Sequence, residues 1–247
     1  MMLLLLCVTP QMTYAANDES LDPNDMDRMD IDVNKAVTYH SDFPALDNTK
    51  KHSRNAYVLI HYEGTPRDDL YVLGTRVVIR SVQESGSLQD IVIICATNVR
   101  QSTIDTFQRD GAIVKMVPNI PNPYKLTQQR RRTYKSRFEF TFNKLYIWNL
   151  LEYERVIYMD ADNLITRNMD ELFLCGEYCA TFFNPLFFHT GMMVARPNRD
   201  KFKELLHGLL SLSLFSYDGA DQGFLTAAFP GVESAPSFNP QRQLVLG

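Results

Sequence analysis

The sequence lacks several features that would point to common classes of protein. No Gly-x-Gly-x-x-Gly follows its first predicted strand, which argues against a nicotinamide dinucleotide site. Four cysteines and five histidines in 247 residues, with no cluster of histidines, argue against a structural zinc site. The apolar runs Leu3–Val8 and Leu205–Phe215 are too short to span a bilayer. A net charge of −4 gives no basis for nucleic-acid binding.

The charge is unevenly distributed between an acidic N-terminal region and the remainder. Residues 1–16 are uncharged, and their apolar core followed by two alanines is typical of a short secretory signal peptide. Residues 17–53 are acidic and poor in apolar positions, which predicts a flexible lead-in. Seven acids and one base give residues 17–32 a charge of −6, so the whole-chain value of −4 leaves +2 for the rest. We expect one folded domain over 54–247, with a charge that suits an anionic small ligand.

The cysteines have different predicted fates. Cys7 would leave with the signal peptide, and Cys95 ends an apolar run, which predicts a buried free thiol. Cys175 and Cys179 flank a Gly-Glu-Tyr turn and could pair in an oxidising lumen, whereas two unpaired thiols are an equal alternative.

Strands and helices alternate along the chain. The predicted strands are Ala56–Tyr62, Ile91–Cys95, Ile113–Val117, Val156–Met159, Cys179–Phe183 and Phe188–Ala195. The predicted helices are Leu70–Val82, Ser102–Arg109, Phe138–Leu151, Met169–Phe173, Phe202–Leu210 and Phe224–Phe229. In the first helix, the spacing of Leu70, Leu73, Val77, Val78 and Val82 predicts one buried face. The alternation indicates right-handed crossovers and an α/β fold with a parallel sheet.

Two helix starts have candidate capping residues. Ser102 and Asn198 each precede an apolar stripe, and their side chains are of the type that accepts hydrogen bonds from the first free N–H groups of a helix.

Two carboxylates directly follow the fourth predicted strand. Asp160 and Asp162 are two residues apart in extended chain, so their side chains point the same way. A divalent cation such as Mn²⁺ or Mg²⁺, which takes oxygen ligands, would relieve their repulsion. Because ligands bind at the carboxyl ends of strands in open α/β sheets, the pattern predicts a metal site that could hold a diphosphate. The alternative is a turn with two solvated aspartates.

Basic residues precede this strand in two places. The loop Pro118–Arg137 holds six bases and no acid from Lys125 onward, which is typical of a solvated loop or of an electropositive flap over a phosphate or carboxylate ligand. Lys144 lies inside a predicted buried helix, so it either extends to the surface or points at the site that follows the next strand.

Four motifs stand in a fixed order between about Arg54 and Pro230. They are Asn143-Lys144-Leu145, Met159-Asp160-Ala161-Asp162, Phe188-His189-Thr190-Gly191 and Asp218-Gly219-Ala220-Asp221-Gln222-Gly223. As a set they resemble the family 8 glycosyltransferases, the glycogenin-like retaining enzymes. The segments Gly64–Asp68 and Asn122-Pro123-Tyr124 are similar to the plant Golgi branch that transfers glucuronic acid to inositol phosphorylceramide. Glycogenin and the xylan glucuronosyltransferases have Asn-Ser-Gly where this chain has His189-Thr190-Gly191.

The resemblance implies a fold, a donor and a cofactor. The fold is α/β, a GT-A glycosyltransferase fold with a Rossmann-like, mostly parallel sheet flanked by helices and an incomplete C-terminal part. The reaction moves a sugar from a UDP-sugar, with UDP-glucuronate the first choice, to a glycan or glycolipid acceptor such as inositol phosphorylceramide. Mn²⁺ is the implied cofactor, and the Golgi lumen is the implied location.

The resemblance also assigns roles to individual residues. Asp160 and Asp162 would ligate Mn²⁺, and Ala161 would lie against the ribose. Ile60, His61 and Tyr62 would contact uridine, and Arg137 and Lys144 would face phosphate or sugar oxygens. His189, Thr190 and Gly191 would line the sugar pocket. Asp218, Asp221 and Gln222 would bind sugar hydroxyls near the anomeric carbon, so that Lys144, Asp221 and Gln222 form the implied catalytic set.

One departure from the family pattern keeps alternatives open. The family's third metal ligand is a histidine in a C-terminal His-x-x-Gly-x-x-Lys segment, and nothing after residue 230 matches it. Enzymes of the sphingolipid branch also continue into a membrane-spanning region, through which membrane association would arise. The alternatives are a glycogenin-like glucosyltransferase, a xylan glucuronosyltransferase, an inactive UDP-sugar-binding fragment, and, on fold alone, a nucleotidyltransferase or dehydrogenase.

Overall fold

The computed structural model describes residues 5–8, 53–126, 139–184, 187–232 and 237–238. Leu5–Val8 of the predicted signal peptide are described and form a strand of the sheet, although cleavage of a signal peptide would remove them. The rest of that segment and the acidic lead-in up to residue 52 lie outside the described residues. So does the stretch 127–138, which includes Arg137.

One mixed sheet of eight strands forms the centre of the described structure. The strands are β1 (Leu5–Val8), β2 (Asn55–His61), β3 (Asp90–Ala96), β4 (Ile113–Val117), β5 (Arg155–Met159), β6 (Tyr178–Asn184), β7 (Phe187–Ala195) and β8 (Ser237–Phe238). Their spatial order is β4-β3-β2-β5-β7-β6-β1-β8. The neighbours β4–β3, β3–β2 and β2–β5 pair in parallel, and β5 then pairs antiparallel with β7. The predicted α/β class is confirmed, with its parallel pairs confined to one half of the sheet.

Helices connect these strands and cover both faces of the sheet. The α-helices are α1 (Asp68–Glu84), α2 (Gln101–Arg109), α3 (Arg199–Leu210) and α4 (Asp221–Ala228). The 3₁₀ helices are Pro123–Leu126, Thr141–Asn149 and Asp170–Leu174. The predicted buried helix after the basic loop is therefore a 3₁₀ helix, and eight of the nine residues in Thr141–Asn149 are buried.

The buried face predicted for α1 is partly wrong. Val78 and Val82 are buried as expected, but Leu70, Leu73 and Val77 are 66%, 56% and 45% exposed. The helix instead buries a stripe that includes polar residues, namely Thr75, Val78, Ile79, Ser81 and Val82. The sequence has two overlapping apolar stripes, and the sheet covers the second of them.

The two predicted N-caps have different outcomes. Asn198 caps α3, because its Oδ1 accepts hydrogen bonds from the backbone N–H groups of Asp200 and Lys201 at 2.9 and 3.0 Å. Ser102 does not cap α2, which begins one residue earlier with Arg100 as its N-cap. The Glu63 carboxylate, from the end of β2, accepts the Arg100 N–H at 3.0 Å, so a distant acid takes part of the capping role.

The core has one layer on each side of the sheet. One layer packs the Thr141–Asn149 helix, α3 and α4 against the sheet, and its centre is a group of stacked rings from Trp148, Tyr178 and Phe229. The other layer packs α1 and α2 against the opposite face. Side chains of β2 alternate between the layers, with Val58 in the first and Leu59 in the second. This alternation decides which strand-end residues can reach the site described below.

Two cysteine predictions are resolved by the structure. Cys175 and Cys179 form a disulfide between the end of the Asp170–Leu174 helix and β6, and Cys95 is a buried free thiol. Burial raises the pKa of Cys95 to about 12, which keeps this thiol protonated. Within the described part of the chain, no helix combines the length and apolar character needed to cross a bilayer.

Candidate active site

Four elements bring polar side chains together at the carboxyl end of β5. Asp160 follows directly after β5, and Thr190 and Gly191 come from the neighbouring strand β7. Lys144 comes from the Thr141–Asn149 helix, and Asp221 is the first residue of α4. Because these residues are up to 77 positions apart along the chain, only the tertiary fold brings them together.

A buried lysine is the centre of this cluster. Its Nζ lies 2.7 Å from Asp221 Oδ2 and 3.2 Å from Asp160 Oδ1, and its side chain is 7% exposed. Thr190 completes the contact, since its hydroxyl donates to Asp221 Oδ2 at 2.7 Å. Lys144 therefore points at the site that follows β5 and does not extend to the surface.

The charges in the cluster fix one another's protonation states. Burial alone would lower the pKa of Lys144, but the negative charges of Asp160 and Asp221 outweigh it and raise the pKa above its usual value. Burial alone would raise the pKa of Asp221, but the Lys144 charge and the hydrogen bonds from Lys144 and Thr190 hold it below its usual value. At neutral pH the site therefore contains one cation and at least one anion with little access to water.

Two residues that the sequence reasoning missed hold Asp160 in place. The hydroxyl of Tyr158, a fully buried residue of β5, donates to Asp160 Oδ1 at 2.5 Å. Asn163 Nδ2 donates to the backbone carbonyls of Asp160 and Gly191, both at 3.0 Å, and the Asp160 N–H donates to Gly191 O at 2.8 Å. The role of Tyr158 could have been predicted from the sequence, because residues i and i+2 of a strand share a face and Tyr158 is two residues before Asp160.

Asp162 and Asp160 are the candidate metal ligands. The expectation that the two aspartates lie in extended chain is wrong, because Ala161 and Asp162 form a turn closed by the Asn163 N–H to Asp160 O bond at 3.2 Å. Asp162 is exposed, whereas Asp160 is half-buried and bonded to Tyr158 and Lys144. Within the described ranges, no group of three or more His, Cys, Asp and Glu side chains is arranged to hold a metal ion. Divalent cations such as Mg²⁺ are commonly held by one or two carboxylates together with substrate phosphates, so this pair of oxygen donors fits a cation that arrives with a diphosphate.

Gly191 allows β7 to pass close to the cluster. A Cβ atom at this position would lie 3.0 Å from Asp160 Oδ2 and 2.4 Å from His189 Cε1, which no ordinary contact permits. His189 is exposed, and its Nδ1 accepts the Gly191 N–H at 3.0 Å. The structure therefore places Gly191 beside Asp160 and His189 beside Gly191.

Asp218 and Gln222 lie at the start of α4 with protein partners of their own. Asp218 Oδ1 accepts the N–H groups of Ala220 and Gly223, both at 3.0 Å, so this carboxylate stabilises the first turn of the helix. Gln222 Nε2 donates to the hydroxyl of Tyr217 at 2.6 Å. Both residues flank Asp221 along the chain, and both are half-buried.

The residues at the end of β2 point in different directions. Ile60 is half-buried and packs against the layer that contains Tyr158. Burial raises the pKa of Tyr62 to about 12, with contributions from the charges of Asp221 and Asp160, which puts its hydroxyl within electrostatic range of the cluster. His61 is 2% exposed and its ring packs edge-on against Phe107 in the opposite layer, so the structure does not bring this imidazole to the cluster.

Helix α1 contacts the turn between the two aspartates. A Cβ atom on Gly74 would lie only 2.6 Å from the backbone oxygen of Ala161. Ala161 is half-buried, and the helix fixes the position of its backbone. A cavity of about 490 Å³ lies at the N-terminus of this helix, lined by residues that include Glu63, Thr65 and Arg100.

Comparisons with known proteins agree with this geometry. Residues 66–176 match the model of "Glycosyl transferase family 8". The chain is 42% identical to "Putative glucuronosyltransferase PGSIP8" of Arabidopsis thaliana over 211 residues, which are 85% of this chain and 41% of that protein. It is 31% identical to "Inositol phosphorylceramide glucuronosyltransferase 1" of the same plant over 188 residues, 76% of this chain and 32% of that protein. The chain thus spans 41% and 32% of the length of these two relatives.

A solved structure shows the fold. The glycosyltransferase GlyE of Streptococcus pneumoniae superposes with a TM-score of 0.50 at 16% identity, covering 75% of this chain and 44% of that one. At this identity the match supports the GT-A fold alone. The family model and the plant relatives together show that the matched part of this chain, residues 66–176, belongs to glycosyl transferase family 8, a family of glycosyltransferase enzymes.

Proposed function

We propose that this chain is the donor-binding and catalytic domain of a retaining glycosyltransferase that uses a UDP-sugar and Mn²⁺. The observation that supports it best is the contact of the buried pair Lys144 and Asp221 with the half-buried Asp160 at the carboxyl end of β5. Buried charges of this kind cost stability unless they are paired, and such groups are concentrated at functional sites. The domain would extend over 54–247, behind a signal peptide (1–16) and an acidic lead-in (17–53).

In this proposal, each end of the breaking bond meets an opposite charge. The bond from the anomeric carbon to the diphosphate breaks with its electrons going to UDP, and the Lys144 ammonium stabilises the negative charge that develops there. The anomeric carbon becomes positively charged, and the ionised Asp221 carboxylate stabilises it. A divalent cation held by Asp160 and Asp162 would neutralise further charge on the diphosphate.

Retention of configuration can arise in two ways at such a site. Asp221 or Gln222 attacks the anomeric carbon, and the acceptor oxygen then replaces it. Alternatively, the acceptor enters on the face that UDP leaves, and its proton passes to a phosphate oxygen. Both routes end with a new bond from the anomeric carbon to the acceptor and with free UDP.

The donor and acceptor are proposed from the names of the relatives. Two plant relatives are named as glucuronosyltransferases, and the second is named for inositol phosphorylceramide. We therefore take UDP-glucuronate as the first donor to test and a glycolipid with an inositol phosphate head group as the first acceptor. The same names support the secretory pathway, with the Golgi lumen as the compartment to test, and the disulfide suits an oxidising lumen.

The first experiment tests metal-dependent binding of UDP. UDP is titrated by calorimetry into the wild-type chain with Mn²⁺ and with EDTA, and then into the Asp160→Asn/Asp162→Asn variant. We expect Mn²⁺ to tighten wild-type binding at least about tenfold and to have little effect in the variant. Asp200→Asn, which changes an exposed acid at the start of α3, is the control and keeps the Mn²⁺ effect. Equal UDP binding with and without Mn²⁺ in the wild type contradicts the proposal.

The second experiment identifies the donor. UDP release is measured with UDP-glucuronate, UDP-glucose and UDP-galactose, each with and without a glycolipid extract. Fastest release from UDP-glucuronate in the presence of the extract supports the first choice. Fastest release from UDP-glucose supports a glycogenin-like activity instead.

A second candidate function is a UDP-sugar-binding domain without catalysis. Within the described residues, no group of three or more His, Cys, Asp and Glu side chains is arranged to hold a metal ion, and Asp160 and Asp162 are the two candidate ligands. This alternative predicts UDP binding without UDP release from any donor. Release of UDP at a rate that Lys144→Met abolishes excludes it, because that substitution removes the charge at the centre of the cluster.

A further inference from the structure

Tyr158 is a buried residue that the mechanism above does not use. We infer that Tyr158 is a positioning residue for transfer, which orients the Asp160 carboxylate through its hydroxyl and supports the Lys144 ammonium through its ring. This role rests on the proposed function, because it concerns the same site.

The geometry of β5 directs the Tyr158 hydroxyl to Asp160. Residues two apart in a strand lie on the same face, and Tyr158 and Asp160 are two apart across the end of β5. The hydroxyl lies 2.5 Å from Asp160 Oδ1, and the Tyr158 residue has 0% exposure. An ionised carboxylate only accepts hydrogen bonds, so the tyrosine is the donor.

Tyr158 and Lys144 together hold the carboxylate by both oxygens. Oδ1 accepts the Tyr158 hydroxyl and lies 3.2 Å from Lys144 Nζ, and Oδ2 lies 3.3 Å from the same nitrogen. The backbone of Asp160 is fixed as well, by its N–H bond to Gly191 O. With both ends fixed, the carboxylate can rotate little about its side-chain torsions. The remaining lone pairs of the Asp160 carboxylate therefore point in a fixed direction, as a metal ligand requires.

The ring of Tyr158 also contacts the lysine. Lys144 Nζ lies 5.2 Å from the ring centroid, within the range of a cation–π interaction. The ammonium is therefore held from one side by the ring and from the others by Asp160 and Asp221. A purely structural tyrosine would need a partner for its hydroxyl but would not affect the affinity for a metal or the rate of a reaction.

Removing only the hydroxyl separates these two roles. Tyr158→Phe keeps the ring, its packing and its contact with Lys144. Because a hydrogen bond to a charged group is worth more than a neutral one, we expect the Mn²⁺ affinity of the UDP complex, measured by electron paramagnetic resonance of free Mn²⁺, to fall about tenfold. We expect kcat for UDP-sugar hydrolysis to fall by a similar factor, while KM for the donor changes much less.

Tyr178→Phe is the matched control. Tyr178 is 1% exposed, belongs to the same core layer, and its hydroxyl contacts Met193 Sδ at 3.2 Å. This substitution removes the same atom from the same layer, but we expect wild-type Mn²⁺ affinity and kcat. The melting temperatures of both variants provide the comparison for any general loss of stability.

The outcomes separate this role from the proposed function. If the wild type shows Mn²⁺-dependent UDP binding and Tyr158→Phe equals it, the positioning role is overturned and the proposed function stands. If Tyr158→Phe and Tyr178→Phe weaken Mn²⁺ binding equally, the hydroxyl has only a structural role and the inference again fails. If the wild type binds no UDP under any condition, the proposed function is overturned, and this role with it.

Discussion

At the scale of single residues, the buried ion pair between Lys144 and Asp221 makes the stability of the fold depend on both partners being present. Asp221→Asn leaves the Lys144 ammonium buried with Asp160 as its one remaining carboxylate. Breaking a buried pair by removing one partner typically costs about 3 kcal/mol or more, and we expect a loss of that size in the free energy of unfolding, measured by denaturant titration. Glu177→Gln, in the exposed pair with Arg196, is the control and should lose at most about 1 kcal/mol. Equal losses would contradict the description of Lys144 and Asp221 as a desolvated pair.

A second prediction at this scale concerns the buried histidine at the end of β2. Burial lowers the pKa of His61, and its Nε2 has no hydrogen-bond partner among the described residues, since Glu63 Oε1 is 3.9 Å away. A lowered pKa means that the unfolded chain binds the proton more readily. The contribution of His61 to stability is therefore complete above the ordinary histidine pKa of about 6.5 and is lost as the pH falls below it.

The predicted loss of stability at low pH can be measured directly. Between pH 7 and pH 5, the free energy of unfolding of the wild type should fall by up to about 1.4 kcal/mol per pH unit more than that of His61→Phe. The phenylalanine keeps an aromatic ring against Phe107 and does not titrate. His207→Gln, which changes an exposed histidine on α3, should retain the wild-type slope. A wild-type slope in His61→Phe would show that other groups cause the pH dependence.

At the scale of elements, the contact between α1 and the aspartate turn depends on one glycine. Alanine normally stabilises a helix by about 1 kcal/mol relative to glycine. At Gly74, however, the added methyl group would lie 2.6 Å from the Ala161 carbonyl oxygen, and that backbone cannot move without shifting Asp160 and Asp162. We expect Gly74→Ala to lower the free energy of unfolding by about 1–3 kcal/mol and to weaken Mn²⁺-dependent UDP binding.

Gly208 offers the matched control for this prediction. It also lies inside a helix, α3, but the atom nearest to an added methyl group is Leu214 Cδ1 at 3.1 Å, the end of a side chain that can adjust. Gly208→Ala should leave UDP binding unchanged. If Gly74→Ala is as stable as the wild type and binds UDP equally well, α1 does not fix the aspartate turn.

The same elements show how far sequence reasoning extends. The strands were predictable because runs such as Val156–Met159 are apolar, short and bounded by charges. The convergence of Lys144, Asp160 and Asp221 followed from the order of motifs that resemble a known family. The buried face of α1 could not be chosen, because its two apolar stripes overlap and only packing against the sheet selects one. The capping of α2 by Glu63 depends on a contact across 37 residues of sequence, which no local pattern contains.

At the scale of the whole molecule, two features outside the site favour entry into the secretory pathway. The uncharged N-terminal segment is typical of a signal peptide, and two cysteines are paired. A disulfide persists in an oxidising compartment, so the Cys175–Cys179 bond and the signal peptide predict the same route through the cell.

Thiol counting on the chain purified from the secretory pathway tests the signal peptide and the disulfide in one measurement. A chain processed after Ala16 keeps Cys95, Cys175 and Cys179. In denaturant, it should react with one equivalent of a thiol reagent before reduction and with three after it, since two of these cysteines are joined.

Closing so short a loop should stabilise the fold by about 2 kcal/mol, so a reducing agent should lower the melting temperature of the wild type and leave that of Cys175→Ser/Cys179→Ser unchanged. Three reactive thiols before reduction would show that the pair is open in the secreted protein. Retention of the chain inside the cell with residues 1–16 attached would instead count against the signal peptide.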